Sequence, residues 1–179
     1  MIRSLKRLRT NRTTATIAIC GALTACATAT PEQLAHRYEP IAAAVDASAA
    51  ELRARADAGQ STAQYGLSLA LRYGLNGLDR NRAAAEHWRR VAVAPRGSTP
   101  ITTYLAGVNG RSGRMLSILV PRYDLPPVEG ALLDRCAEAL AAANEAAFNR
   151  NDVCGNVEIY LRLKAAWRLA SSANASPAA

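Results

Sequence analysis

Apolar side chains recur at steps of three and four residues through most of the chain after residue 40. That spacing puts them on one face of an α-helix, so it predicts amphipathic helices rather than strands. Alanine is abundant and aromatic residues make up only 5% of the chain, which favours helices packed closely through small side chains. The sequence therefore predicts one mainly α-helical domain. Helices are predicted over residues 126–147 and 156–173, and one ending at Gly59 carries Ile41, Val45, Ala49, Leu52 and Ala56.

A shorter helix is predicted ahead of these. Thr30 followed by Pro31 is typical of a helix start, with threonine as the cap and proline at the first helical position. Pro40 interrupts the run, so we expect the chain to kink near Glu39. At the other end, residues 171–179 (SSANASPAA) are low in complexity and predict a disordered tail.

Residues 59–92 combine two helical runs with glycines between them. The segment resembles a single Sel1-like repeat, a relative of tetratricopeptide repeats built from two antiparallel helices. The resemblance implies antiparallel helix pairs over residues 31–170, a tryptophan in the seam between units, and a surface that binds protein. Ser68 departs from the pattern, since the family usually has glycine there. The matching positions are Gly59, Ala63, Leu67, Gly74, Gly77, Asp79, Ala85, Trp88 and Ala92.

A segment of different character separates the helical runs. Residues 101–105 and 115–120 are rich in strand-forming side chains, and Asn109-Gly110 lies between them. An Asn-Gly pair between two such runs favours a tight hairpin turn, so the sequence predicts one inserted β-hairpin at about residues 99–121. A lone hairpin is marginal in water. It is therefore expected either to lie against the helices or to pair with a partner.

The first 26 residues divide into three regions. Residues 1–12 are basic, residues 13–22 are uncharged and mostly apolar, and Leu23-Thr24-Ala25-Cys26 follows. The apolar segment is too short to cross hydrocarbon about 30 Å thick as a helix, which takes about 20 residues. It fits an export signal instead. In this order the three regions resemble the leader and lipobox of bacterial lipoprotein precursors.

That resemblance implies a signal peptide over residues 1–25, lipid attached to the thiol of Cys26, and a short tether over residues 26–30. Ala27 rather than aspartate after the cysteine implies the outer membrane, with the domain facing the periplasm. The alternative is an ordinary secretory signal cut near Ala25-Cys26-Ala27.

Four cysteines divide by role. Cys20 would leave with the signal peptide and Cys26 would carry lipid, so Cys136 and Cys154 remain. An even pair in an oxidising compartment predicts a disulfide. Two buried thiols or a metal pair are the alternatives, although His36 and His87 complete only a poor zinc site. Cys136 is placed on the core face of its helix with Val128, Leu132, Leu140 and Ala143.

Much of the net charge of +8 belongs to the leader, which contains five basic residues and no acidic one. Residues 26–179 contain 17 basic and 14 acidic residues, a net charge of +3, so nucleic acid is not expected as a partner. One local cluster, Arg80, Arg82, Arg89 and Arg90 beside Trp88, is open to two interpretations. It is either a solvated helix face or a groove for an acidic partner.

No nucleophile, zinc-protease or phosphate-loop motif occurs in the sequence. We therefore expect no catalytic residue, cofactor or metal, and a membrane-anchored scaffold that binds an envelope protein. A structural lipoprotein that binds through the hairpin edge is a related possibility. The alternative from another class is a cell-wall enzyme that uses Asp124, Glu129, Asp134 and Glu138.

Overall fold

The chain is mainly helical with one two-stranded antiparallel hairpin, as its apolar spacing predicts. The computed structural model describes residues 31–107, 112–143, 148 and 153–173. The predicted signal peptide, Cys26, the tether, the Asn109-Gly110 turn and residues 174–179 lie outside these ranges. The elements are α1 (Pro31–Arg37), α2 (Glu39–Asp46), α3 (Ala49–Asp57), α4 (Ser61–Tyr73), α5 (Arg82–Ala92), β1 (Gly97–Leu105), β2 (Arg114–Arg122), α6 (Pro127–Ala141) and α7 (Val157–Ser172).

The single helix predicted between Ile41 and Gly59 is wrong, because the structure contains two. α2 ends at Asp46, Ala47 is extended, and Ser48 caps α3 by accepting a hydrogen bond from the amide of Glu51 at 3.2 Å. Serine followed three residues later by glutamate is the sequence signature of a helix start. The kink near Glu39 is confirmed, since α1 ends at Arg37 and α2 begins at Glu39.

α4 lies at the centre of the fold, and ten of its 13 residues are buried. It packs against α5 on one side and against α2 and α3 on others. Gly66 permits the approach to α2, since a Cβ there would lie 2.9 Å from the backbone oxygen of Pro40. Gly74, with a φ of 69°, ends α4, and Asn81 caps α5 through the amide of Ala84.

α6 and α7 complete the helical body, and Cys136 and Cys154 lie at disulfide distance between them, as predicted. Both cysteines are fully buried and their Cα atoms are 5.0 Å apart. Asn156 caps α7 through the amide of Ile159 at 2.8 Å. α7 runs two residues into the expected tail.

Two predictions for α6 are wrong. The helix was predicted to run to residue 147, but it ends at Ala141, since Ala142 is extended. At this end the ammonium group of Lys164 donates to the carbonyl oxygens of Leu140 and Ala142 at 2.7 and 3.1 Å. Val128 is 70% exposed and Ala143, beyond the end of the helix, is exposed as well, because the buried face of α6 carries Leu133 instead.

The hairpin is longer than predicted and stands away from the helices. Ile101 pairs with Ile118 at its middle, and Gly97 pairs with Arg122 at its root. Every residue of β1 is exposed, and in β2 only Val120 is partly covered. Within the described residues, no helix has both the length and the apolarity to span a membrane.

Candidate interaction surfaces

The helical body contains one ion-pair network, at the junction of α4, α5 and α6. Asp134 accepts hydrogen bonds from Arg72 at 3.3 Å and from Arg89 at 2.9 Å. Next to it, the hydroxyl of Tyr65 donates to the carbonyl oxygen of Gly130 at 2.6 Å. Burial, reinforced by the Asp134 carboxylate, raises the pKa of Tyr65 well above its ordinary value. These contacts hold α6 against the α4–α5 pair.

The four arginines of the basic cluster do not line one groove. Arg89 is engaged with Asp134, Arg80 donates to the carbonyl oxygen of Tyr73 at 3.1 Å, and Arg90 donates to that of Glu86. Arg82 and Arg89 do line a cleft together, but its volume is about 180 Å³. Ligand pockets usually measure about 300–1,000 Å³.

The four candidate carboxylates are not gathered at one site. Asp134 belongs to the network above, whereas Asp124 lies 3.4 Å from Nε of Arg96 and accepts a hydrogen bond from Ser61. Glu138 is exposed on α6, while Glu129 is partly exposed and lines a cleft of about 180 Å³ with Asp124. Among the described residues, no three His, Cys, Asp or Glu side chains gather as metal ligands would.

The two histidines, His36 and His87, do not share a site either. His36 is exposed and lies 3.0 Å from Glu39, and His87 contacts the edge of the Trp88 ring. Each therefore has a local neighbour on the surface of its own helical segment.

The nine repeat-like positions divide between core and loop. Ala63, Leu67, Ala85 and Ala92 are buried where α4 meets α5, while Gly59, Gly74 and Gly77 adopt positive φ at turns. Asp79 is exposed. Trp88 is only partly buried, whereas Trp167 of α7 is 4% exposed and meets Tyr73 edge-on at 5.1 Å. The buried tryptophan at a helix–helix seam is thus Trp167.

A first uncovered apolar surface lies on the outer side of α7. Its inner side carries Tyr160, Leu163 and Trp167, all buried. A second set at steps of four residues faces outward, and we call it the α7 stripe. It comprises Val157, Leu161, Ala165 and Leu169, all exposed, with Leu169 74% accessible. Charged side chains of Glu158, Arg162 and Arg168 are exposed beside the stripe. Apolar side chains exposed together on a surface mark a site of contact with another molecule.

A second uncovered surface is the hairpin, which presents apolar residues on both faces. Strand register separates the faces, since successive side chains point to opposite sides. The aliphatic face carries Ile101, Leu105, Leu116, Ile118 and Val120. The mixed face carries Pro100, Tyr104, Met115 and Leu119, the last three 61–72% exposed.

The root of the hairpin is fixed to the helical body by Arg96. Its guanidinium group donates to the carbonyl oxygen of Gly59, to Ser61 and to Gln64 at 2.9–3.2 Å. Its backbone amide donates to the carbonyl oxygen of Arg122 across the hairpin at 2.7 Å. The hairpin therefore projects from an anchored root at the α3–α4 junction.

The sequence predicted the hairpin and the helix over residues 156–173, but it identified neither the α7 stripe nor the exposure of both hairpin faces. The α7 stripe could have been found, because its four-residue spacing runs beside that of the buried face.

No family model matches the chain, and neither a characterised protein nor a solved structure gives a significant match.

Proposed function

We propose that this chain is a membrane-anchored lipoprotein of the bacterial cell envelope that acts as a protein–protein interaction module. The observation that carries the proposal is the α7 stripe, where Leu161 and Leu169 are 54% and 74% exposed on a helix whose opposite face is buried. The partner element that fits is an amphipathic helix, because its apolar residues can interdigitate with side chains four residues apart.

The α4–α5 pair and its resemblance to a Sel1-like repeat support the same function. Helix-pair repeats stack on one another, so the end of a stack keeps a face suited to a further helix. α7 is the last helix of the described chain and contacts α2 and α6 with its inner side. We therefore expect a helix of the partner to pack on the outer side of α7.

The leader supports the location. Lipid on Cys26 would hold the domain at a membrane, and each buried methylene group contributes about 0.8 kcal/mol, so several acyl chains anchor firmly. Ala27 favours the outer membrane, with the domain in the periplasm.

Site-specific photo-crosslinking in living cells tests the partner. A photoreactive amino acid at Leu161 or Leu169 should yield a crosslink to one envelope protein. The same amino acid at Glu86, which is exposed on α5, is the control. Crosslinking at Leu161 should disappear when Leu169→Asp is also present, since a buried aspartate opposes apolar packing.

The proposed partner surface is refuted if α7 yields no product beyond the Glu86 control. Circular dichroism of the Leu169→Asp variant guards against misfolding, and no change is expected, because the side chain is mostly exposed.

Intact mass of membrane-extracted protein tests the anchor separately. The expected mass is that of residues 26–179 plus acyl chains, with Cys136 and Cys154 alkylated only after reduction. An unlipidated mass would remove the anchor from the proposal and leave the α7 surface to be judged by crosslinking.

A further inference from the structure

We infer that the hairpin is a second membrane contact, whose outer half enters the headgroup region of an anionic lipid bilayer. This goes beyond the protein-binding role of α7 and concerns a different surface. Only its distance argument rests on the proposed anchor at Cys26.

Both faces of the outer half of the hairpin carry exposed apolar side chains. Ile101 and Ile118 lie on one face and Tyr104 and Met115 on the other, all at least 44% exposed. A second copy or a protein groove that packs on a sheet covers one face of it. Lipid surrounds an inserted element and contacts both faces at once, which fits this distribution.

The charge of the hairpin points to an anionic surface. Arg96 is paired with Asp124 at the root, so the segment is counted from Gly97: residues 97–123 contain three arginines and no acidic residue, whereas the remainder of residues 26–179 contains 14 basic and 14 acidic residues. The positive excess of that part of the chain is therefore concentrated in the hairpin segment. Arg114 is exposed close to the tip, next to Met115. Basic groups near a bilayer surface are attracted by anionic lipids, while two hairpins of this charge repel each other.

The hairpin edges are poorly suited to an added strand. Pro100 pairs with Leu119 and Pro121 pairs with Ser98. Hydrogen-bonded and non-hydrogen-bonded pairs alternate along an antiparallel ladder, so these two pairs, two positions apart, are of the same kind. Proline has no N–H, so these are non-hydrogen-bonded pairs whose backbone nitrogens face outward. Each outer edge thus lacks one donor that an incoming strand would need. The predicted binding through the hairpin edge is therefore disfavoured relative to contact through its faces.

The distance to a membrane is short. Residues 26–30 span at most about 17 Å, α1 is about 10 Å long, and a nine-residue strand extends about 30 Å. His36 in the last turn of α1 and Glu39 at the start of α2 line a cleft with Asp124 at the root of the hairpin. α1, which follows the proposed anchor and tether, therefore ends close to the root of the hairpin, and the hairpin is about as long as the tether and α1 together.

The free strand edges also limit the depth of insertion. Unpaired backbone groups are not tolerated in hydrocarbon, where no water can satisfy them. In the headgroup region water and lipid oxygens can do so. Tyrosine is favoured at this depth, because its ring is apolar and its hydroxyl is polar.

Fluorescence quenching of the full-length lipidated protein in vesicles tests the inference. Thr102→Cys and Thr103→Cys place a fluorophore on the two opposite faces of β1, and Glu86→Cys is the control on the helical body. The vesicles contain phosphatidylcholine with or without phosphatidylglycerol, together with lipids carrying a nitroxide near the headgroup. Both hairpin labels should be quenched when phosphatidylglycerol is present, and the Glu86 label should not.

The charge contribution is measured with Arg114→Gln. Its inserted-to-free ratio should fall about fivefold, since one basic residue near an anionic surface contributes about 1 kcal/mol. Arg162→Gln, on the exposed side of α7, removes the same charge from the body and should leave the ratio unchanged.

Two outcomes would overturn the inference. If only the Thr103 label is protected from an aqueous quencher and neither label meets the nitroxide, a protein or a second copy covers the aliphatic face. If both labels stay accessible to water, the hairpin does not touch lipid. Intact mass of the same sample reports the anchor independently, so loss of lipidation is not mistaken for failure of the hairpin.

Discussion

The helical body and the hairpin use the same kinds of side chain for opposite purposes. Leu133 in α6 is fully buried, whereas Leu119 in β2 is 72% exposed. In the described part of the body, every buried side-chain nitrogen or oxygen has a hydrogen-bond partner. The hairpin instead leaves large apolar groups in water, where they add little to folding. Apolar residues that do not stabilise the single chain indicate contact with something outside it.

The largest effect should come from the same substitution made in both regions. Leu133→Ala should lower the free energy of unfolding by about 2–5 kcal/mol, because it leaves a cavity in the core. Leu119→Ala should change it by less than about 0.5 kcal/mol. Urea denaturation followed by circular dichroism measures both. A large cost at Leu119 would mean that the hairpin packs on the body after all.

The Cys136–Cys154 pair sharpens the comparison, because it crosslinks only the body. Replacing both cysteines with alanine should cost about 3 kcal/mol, as expected for closure of an 18-residue separation. Thermal unfolding of the natural chain with and without reductant should show the same loss, and the double variant should not respond to reductant. Amide hydrogen exchange in β1 and β2 should be unaffected by reduction.

Charge removal separates the regions by a smaller amount. Arg89→Gln leaves Asp134 with Arg72 alone, and we expect a loss of about 1.5 kcal/mol, since the pair is partly screened by solvent. Arg114→Gln on the hairpin should leave the free energy of unfolding within about 0.5 kcal/mol of the natural value. Equal costs in urea denaturation would contradict the assignment of Arg89 to a structural role.

The smallest effect concerns Tyr65. Its pKa in the folded chain lies above the ordinary value of 10.0, so the unfolded chain loses the proton first. The stabilisation is complete below pH 10 and is lost as the pH rises further, by up to about 1.4 kcal/mol per pH unit. Tyr65→Phe should cost about 1 kcal/mol at neutral pH through the lost hydrogen bond to Gly130, and should flatten the decline above pH 10.

For that test, Tyr104→Phe on the hairpin is the matched control, with little change expected at neutral pH. Urea denaturation at several pH values gives both slopes. A decline that is equally steep with and without the Tyr65 hydroxyl would assign it to other groups.

Much of the secondary structure could be predicted from local patterns. Asn156 as the cap of α7 and the break before Glu39 depend on neighbouring residues, which are visible in sequence. The break at Ser48 is also visible in sequence, as a serine followed three residues later by Glu51, but the apolar spacing continues across it and suggests one uninterrupted helix. The end of α6 was not predictable in this way, because Lys164 reaches its last carbonyls from another helix.

The candidate surfaces depended on tertiary structure to a greater degree. Four clustered arginines left a solvated helix face and a groove for an acidic partner open, and only the structure shows that Asp134, 45 positions beyond Arg89 in the chain, engages one of them. Val128 and Leu169 follow the apolar spacing of core residues, and both are exposed.

The sequence by itself determined the helical class and the pairing of β1 with β2, because local spacing decides both, and it favoured a disulfide between Cys136 and Cys154, which the structure places at disulfide distance. The tertiary structure alone decided which apolar faces are covered. The inner side of α7 is buried against other helices, whereas the α7 stripe and both hairpin faces are exposed. Spacing reports that a face is apolar. Burial depends on whether another element reaches that face, and that is a property of the packed chain.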